Sequence, residues 1–215
     1  MAMTNEIEKH LTELGISGGA SGCSEESLVR IEDEYGIDFP KIYKVFIHKY
    51  GHSNVEHDVC YRPIEPSHWT DKDGLNAFGS FFGFEEGVDH LEGNIQQYYE
   101  RIPDSIVPIA DDNAGNLICM GIRGDREGKI FFWDHENEIT ARVMLGEKEY
   151  ESVSVDDYWE NVSLIAESFF DFIKSLELEK REASAIESSM VEVKISDNLL
   201  ALIQAAKVKN RNENN

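Results

Sequence analysis

Basic residues are scarce in this chain. Only 20 Lys and Arg stand against 42 Asp and Glu, a formal charge of −22. A field of that sign repels nucleic acid and anionic membrane, so polyanion binding is excluded as a primary role. Two explanations of the acidic excess stay open: solubility, or a face that speeds encounter with a basic protein. Long apolar runs are missing as well. None extends beyond a few residues, which excludes a transmembrane helix of about 20 apolar residues. Residues 1–20 hold neither a basic n-region nor an apolar h-region, so the expectation is a cytoplasmic protein without a signal peptide.

Cysteine is nearly absent. Cys23, Cys60 and Cys119 are odd in number, far apart and without a C-x-x-C spacing, which excludes a disulfide framework and a zinc knuckle. Cys119 lies in an apolar run and reads as a small core residue, not a nucleophile. Catalytic and ligand-binding motifs fail one by one. After Gly18-Gly19-Ala20-Ser21-Gly22 comes Cys23-Ser24-Glu25, where a phosphate loop needs Lys-Ser/Thr. Gly79-Ser80-Phe81-Phe82-Gly83 puts its serine one place early for a nucleophile elbow. His48 and His52 have the i, i+4 spacing of two ligands on one helical face, but Gly51 intervenes and no Glu follows His48. Counted from Asp111 as a calcium loop, glycine falls at position 5 instead of 6, and position 12 is Ile122. Asp134-His135-Glu136 ends a strand, where neighbours point to opposite faces. Asn161-Val162-Ser163 is a formal glycosylation sequon, but it falls inside the helix expected over residues 158–176. No internal repeat, cofactor motif or metal set is present, and the reading is a protein that is not an enzyme.

What is present is material for one sizeable core: 41% apolar residues in 215, enough for one domain with appendages. Ile7, Leu11 and Leu14 mark a short amphipathic helix, and residues 18–22 a linker. Ser24 caps a helix carrying Leu28, Ile31 and Tyr35 and stopped at Gly36. Pro40 opens another, striped by Ile42, Val45, Phe46 and Tyr50 and ended by Gly51, and the two pack as a corner around Ile37-Asp38-Phe39. A strand is expected near residues 59–62, and a core cluster from Phe78, Phe81, Phe82 and Phe84. Val88, Leu91, Ile95, Tyr98 and Tyr99 give a further helix. Residues 106–110, 117–121 and 129–133 alternate with Asp/Asn/Gly turns, as an antiparallel meander does. Residues 139–145 read as a strand and 150–155 as a weaker one. Residues 158–176 read as the strongest helix, with Trp159, Val162, Ile165, Phe169, Phe172, Ile173 and Leu176 at three- and four-residue steps. The expected division is 1–23 (helix and linker), 24–178 (main domain) and 179–215 (appendage).

The pro-corner Phe39-Pro40-Lys41-Ile42-Tyr43, the turn at Gly115-Asn116 and Phe132-Trp133-Asp134-His135-Glu136, followed by Ser168-Phe169-Phe170-Asp171-Phe172-Ile173, together resemble the SUKH superfamily, the Smi/Knr cell-wall-assembly-regulator-like family, over residues 24–177. Three features depart from the pattern: His52-Ser53 after Gly51, the long polar excursion 63–77, and the tail after 179. The resemblance implies an α+β fold: a mostly antiparallel sheet of about five or six strands packed by N-terminal helices and a long C-terminal helix. It also implies that bacterial members are immunity proteins that neutralise toxins, often nucleases, by binding, while fungal members are signalling scaffolds. The partner expected is therefore a basic toxin domain, with no nucleic acid, membrane or cofactor involved. A regulatory scaffold or peptide-binding module is the alternative, with a hydrolase behind both. The acid-rich loops would supply the contacts: Glu85, Glu86, Asp89, Asp111, Asp112, Asp125, Glu127, Asp134 and Glu136. Trp69 is either an exposed interface anchor or a core residue.

Overall fold

A computed structural model of the chain describes residues 5–18, 25–51, 53–84 and 87–180. The linker residues 19–22, the capping Ser24, His52 and the appendage beyond Lys180 lie outside them.

The helical corner forms as its punctuation dictates. Helix α1 spans Asn5–Glu13, α2 Glu25–Tyr35 and α3 Lys41–Tyr50. Gly36 takes φ 63° directly after α2, a conformation open to glycine at little steric penalty. Pro40 precedes the first turn of α3, and Gly51 closes it by donating its N–H to the Ile47 carbonyl at 2.7 Å. Ile37 and Phe39 are buried in the corner between the two helices. Helix α1 belongs to the same core, with Ile7 and Leu11 buried and His10 Nε2 3.1 Å from the Ile173 carbonyl.

The strands form three antiparallel sheets. Strands β1 (Ile16–Gly18) and β2 (Ser53–Val55) pair as a ribbon. Strand β3 (Val59–Tyr61) lies between β4 (Asn76–Phe78) and β9 (Leu176–Leu178). The expected meander is the third sheet, in the order β5 (Ile106–Asp111), β6 (Leu117–Gly121), β7 (Ile130–Trp133), β8 (Val162–Ala166). Every residue of β6 and β7 is buried, so both faces of the sheet centre are covered. Its edges are covered too. On the β5 side, Phe82 N–H donates to the Ile109 carbonyl (2.9 Å), Asp111 N–H to Ser80 (3.1 Å) and Gly79 N–H to Asp111 (2.9 Å). On the β8 side, Ile64 and Glu65 donate to the carbonyls of Ile165 and Leu164. Helix α4 (Leu91–Tyr98) precedes β5, and its His90 cap accepts the Gly93 N–H. No described helix is long and apolar enough to cross a membrane. The fold is α+β.

Three expectations are corrected. Residues 158–176 are not one helix but β8, then α6 (Phe169–Ser175), then β9. The break is made by Ser168, whose hydroxyl oxygen accepts the Asp171 N–H at 3.1 Å and donates to the Asp171 carboxylate at 2.6 Å, so a new helix starts there. Residues 139–145 form helix α5 (Ile139–Met144), not a strand. Both sides of β7 are already taken by β6 and β8, which leaves this segment no partner there, and a helix satisfies its own backbone. Around 150–155 the chain makes 3-10 turns at Lys148–Tyr150 and Val155–Asp157 in place of a strand.

The expected aromatic cluster is the packing centre. Phe81 lies 4.7 Å from Phe46 of α3, 4.8 Å from Phe78 of β4, and 6.4 Å from both Phe169 and Phe172 of α6, ring centre to ring centre. Two glycines let this segment in. A Cβ on Gly83 would fall 1.6 Å from the Gly51 carbonyl oxygen, and one on Gly79 would fall 2.2 Å from the Asp111 carboxylate. Phe172 is fully buried and also meets Tyr61 at 5.5 Å. Phe172→Ala should destabilise the fold by about 3–5 kcal/mol, read as a lower denaturant midpoint. Val29→Ala, at an exposed site on α2, should change it by less than about 0.5 kcal/mol. Equal losses from the two would show that the cluster is not a packing centre.

Candidate partner-binding surface

Part of the polar set singled out from the sequence, Asp111, Asp112, Asp134 and Glu136, lies at one end of the four-stranded sheet. The β5–β6 turn there is held by Asp112. Its carboxylate accepts the N–H groups of Ala114 (2.8 Å) and Asn116 (3.1 Å) and the Asn116 side-chain amide (2.6 Å). Asn113 at φ 63° and Gly115 at φ 94° complete the reversal. Asn116, fully buried, passes the connection on to the end of β7: its side-chain Oδ1 accepts the His135 N–H at 3.2 Å and lies 2.9 Å from His135 Nδ1. Asp134 repeats the device, accepting from Glu136 N–H (3.0 Å) and the Asn137 amide (2.5 Å). Asn161 donates to the Asp134 carbonyl, and Tyr158 to that of Asn137, which ties in the chain entering β8. The polar excursion reaches the same place. His68 Nδ1 is 3.5 Å from Asp134, and the partly buried Trp69 lies 5.2 Å from His68 and 6.4 Å from His135 between ring centres.

The nine nominated acids do not share one face. Asp112 and Asp134 are buried and saturated by the turns they build, which withdraws them from solvent. A buried carboxylate needs such donors, so local sequence that supplies Asx turns also hides the acid. Asp111 is half-buried beside them, with Asp89 close enough to act on it electrostatically, and Glu136 is exposed at the same end. Asp125 and Glu127 are exposed at the opposite end, on the β6–β7 turn around the 3-10 segment Gly124–Arg126. Glu85 and Glu86 lie outside the described residues. In the sequence Asn116 reads only as a turn residue, and His68 carries no signal. The i, i+4 pairing of Asp112 with Asn116 across the turn is the signal that points to the first; nothing local points to the second.

The arrangement is suited to holding shape more than to moving protons. Among the described residues no three His, Cys, Asp or Glu side chains are grouped to hold a metal ion. Cys60 and Cys119 are free and buried; burial pushes the Cys60 thiol up to about 11 and that of Cys119 higher still, so neither is a thiolate at neutral pH. The Asp111–Asn116 segment is a hairpin turn whose Asp112 carboxylate is already occupied by its own chain. His48 lies exposed at the end of α3.

A protein-family model described as SMI1 / KNR4 family (SUKH-1) matches residues 22–175, from the start of α2 to the end of α6. The SPbeta prophage-derived uncharacterized protein YokK of Bacillus subtilis (strain 168) is 33% identical over 208 residues, an alignment that spans 91% of this chain and 97% of that one.

Asp111 allows a test of how the turn is balanced. Burial raises its carboxyl above the ordinary value, while the Ser80 N–H, donated at 3.0 Å, acts in the opposite sense. A folded carboxyl that titrates above the unfolded one makes stability fall as pH rises from the unfolded value through the folded value. Asp111→Asn removes this linkage and keeps an acceptor for Ser80. The variant should be at least as stable as the parent at neutral pH, and the difference should close below the usual carboxylate range in urea unfolding at stepped pH. A deficit of equal size at every pH would show that desolvation of the carboxylate is not the governing effect.

Proposed function

The chain belongs to the SMI1/KNR4 family (SUKH-1), and on that basis we propose that it is an immunity protein: it binds a basic toxin domain one-to-one and neutralises it by occupancy, without turnover. The observation that carries this reading is the charge of −22 on a chain of this family. A toxin that grips phosphates, as a nuclease does, presents a positive groove. An acidic binder is drawn to such a groove from a distance and screens it once there. The exposed Asp125, Glu127 and Glu136, with Asp89 and Asp111 behind them, supply this long-range field from both ends of the sheet. The prophage origin in the relative's name suits the reading, since a mobile element that carries a toxin must carry its antidote. The protein acts in the cytoplasm, where the toxin's target would be.

The test is co-expression in a neutral host with each toxin domain encoded by the source organism, scored by growth. One toxin should be silenced, and the purified pair should form a 1:1 complex. Association should slow by about tenfold or more between low salt and roughly 1 M salt. Silencing of none, from a panel shown to be toxic, would move the assignment to a regulatory scaffold of the cell-wall type.

A further inference from the structure

One concavity of the described fold lies away from the polar turns. It is a groove of about 490 Å³ between the C-terminal ends of α2 and α4 and the outer strand β5. Tyr35 and Tyr98 form its walls with Tyr99, which stands 66% exposed at the mouth, and Ile106 and Val107 of β5 with Ile102 line its depth. Its rim carries three carboxylates, Glu100, Asp104 and Asp156, against one cation, Arg123. Arg123 is already ion-paired with Asp104, and Asp156 accepts the Asp104 N–H at 2.9 Å. Glu100 has no cationic partner among the described residues, and its backbone sits at φ 64°, a region that side chains other than Asn and Asp rarely adopt. Such conformations concentrate at ligand clamps, because a surrounding structure must hold them.

These features have the anatomy of a protein-recognition site: an aromatic and apolar centre, tyrosine-rich, within a charged rim. The rim fixes the sign of the occupant. Tyrosine faces and carboxylates both attract a lysine or arginine head, while the apolar floor takes a hydrophobic side chain beside it. The mode of contact is also constrained. Pro108 of β5 has no N–H, and Phe81 and Ala110 already bridge further along the strand, so the edge is a poor template for an added strand. Recognition has to work through side chains.

We infer that this groove is the primary docking site for the partner protein, and that it takes a segment in which an apolar side chain stands next to a lysine or arginine. The inference rests on the reading above that the partner is a basic protein, but its test does not need the toxin. Random peptides displayed on phage are panned against the full chain, and the selected peptides are titrated against Tyr99→Ala, Glu100→Arg and, as a charge-matched control outside the groove, Glu6→Arg on α1. The expected result is enrichment of peptides with a basic residue beside an apolar one. Their affinity should fall by about 10- to 30-fold in each groove variant and stay unchanged in the control. Tyr99 and Glu100 are exposed, so unaltered unfolding midpoints should accompany the loss. Failure to select any binder, selection of acidic peptides, or binders indifferent to both groove variants would overturn the inference. So would a dimer of the free chain that Tyr99→Ala dissociates, since the groove would then be filled by a second copy. If a toxin is silenced equally well by the two groove variants, the immunity reading stands and the groove assignment falls. Groove-directed basic peptides without any silenced toxin would give the reverse.

Discussion

Everything in the main unit hangs on the aromatic cluster around Phe81. Its neighbours come from α3, from α6 and from β4, while Phe81 itself bridges to Ala110 at the edge of the four-stranded sheet. Removing the ring would leave a cavity where α3, α6, β4 and the edge of β5 meet. Tilted and edge-on ring pairs of this kind add specific orientation to ordinary burial, so the cluster fixes angles as well as distances. The glycines on either side are part of the same constraint, because backbone contact at Gly79 and Gly83 is what brings a short loop deep enough to place the ring.

From that centre outward the molecule divides its polar residues into two kinds. Asp112, Asn116, Asp134 and Asn161 face inward and tie neighbouring turns together. Among the described residues most of the other acids face water. A framework held this way tolerates wide change on its surface, which fits a binding protein whose partner sets the surface and whose core does not. The groove beside Tyr99 joins the two, since its walls are helix ends that the core positions and its rim is solvated charge.

Much of this was legible in the chain and some was not, for physical reasons. The α2–α3 corner announced itself because Gly36, Pro40 and Gly51 are local signals with local causes. The β5–β6–β7 meander was visible for the same reason. The segment 158–176 misled because its apolar spacing suits a helix, while a strand partner on β7, distant in sequence, decides the outcome. Ser168 followed three residues later by Asp171 did mark the true helix start. Residues 139–145 carry β-branched side chains, but the sheet had no vacancy on β7. The polar site was readable only in part: with 42 acids, no local feature separates those that hold turns from those that face a partner. The groove was invisible, since Tyr35, Tyr99, Val107 and Val155 come together only in three dimensions.

The covered edges of the four-stranded sheet carry one more implication. Residues 79–83 shield one side and Ile64 with Glu65 the other, so the sheet presents no long unpaired border to a second molecule. If the chain acts by occupancy as proposed above, it must be kept in stock, at or above the level of its target. Open borders would turn such a reserve into a seed for fibres. The covered borders of this sheet remove that route of accretion, strand upon strand.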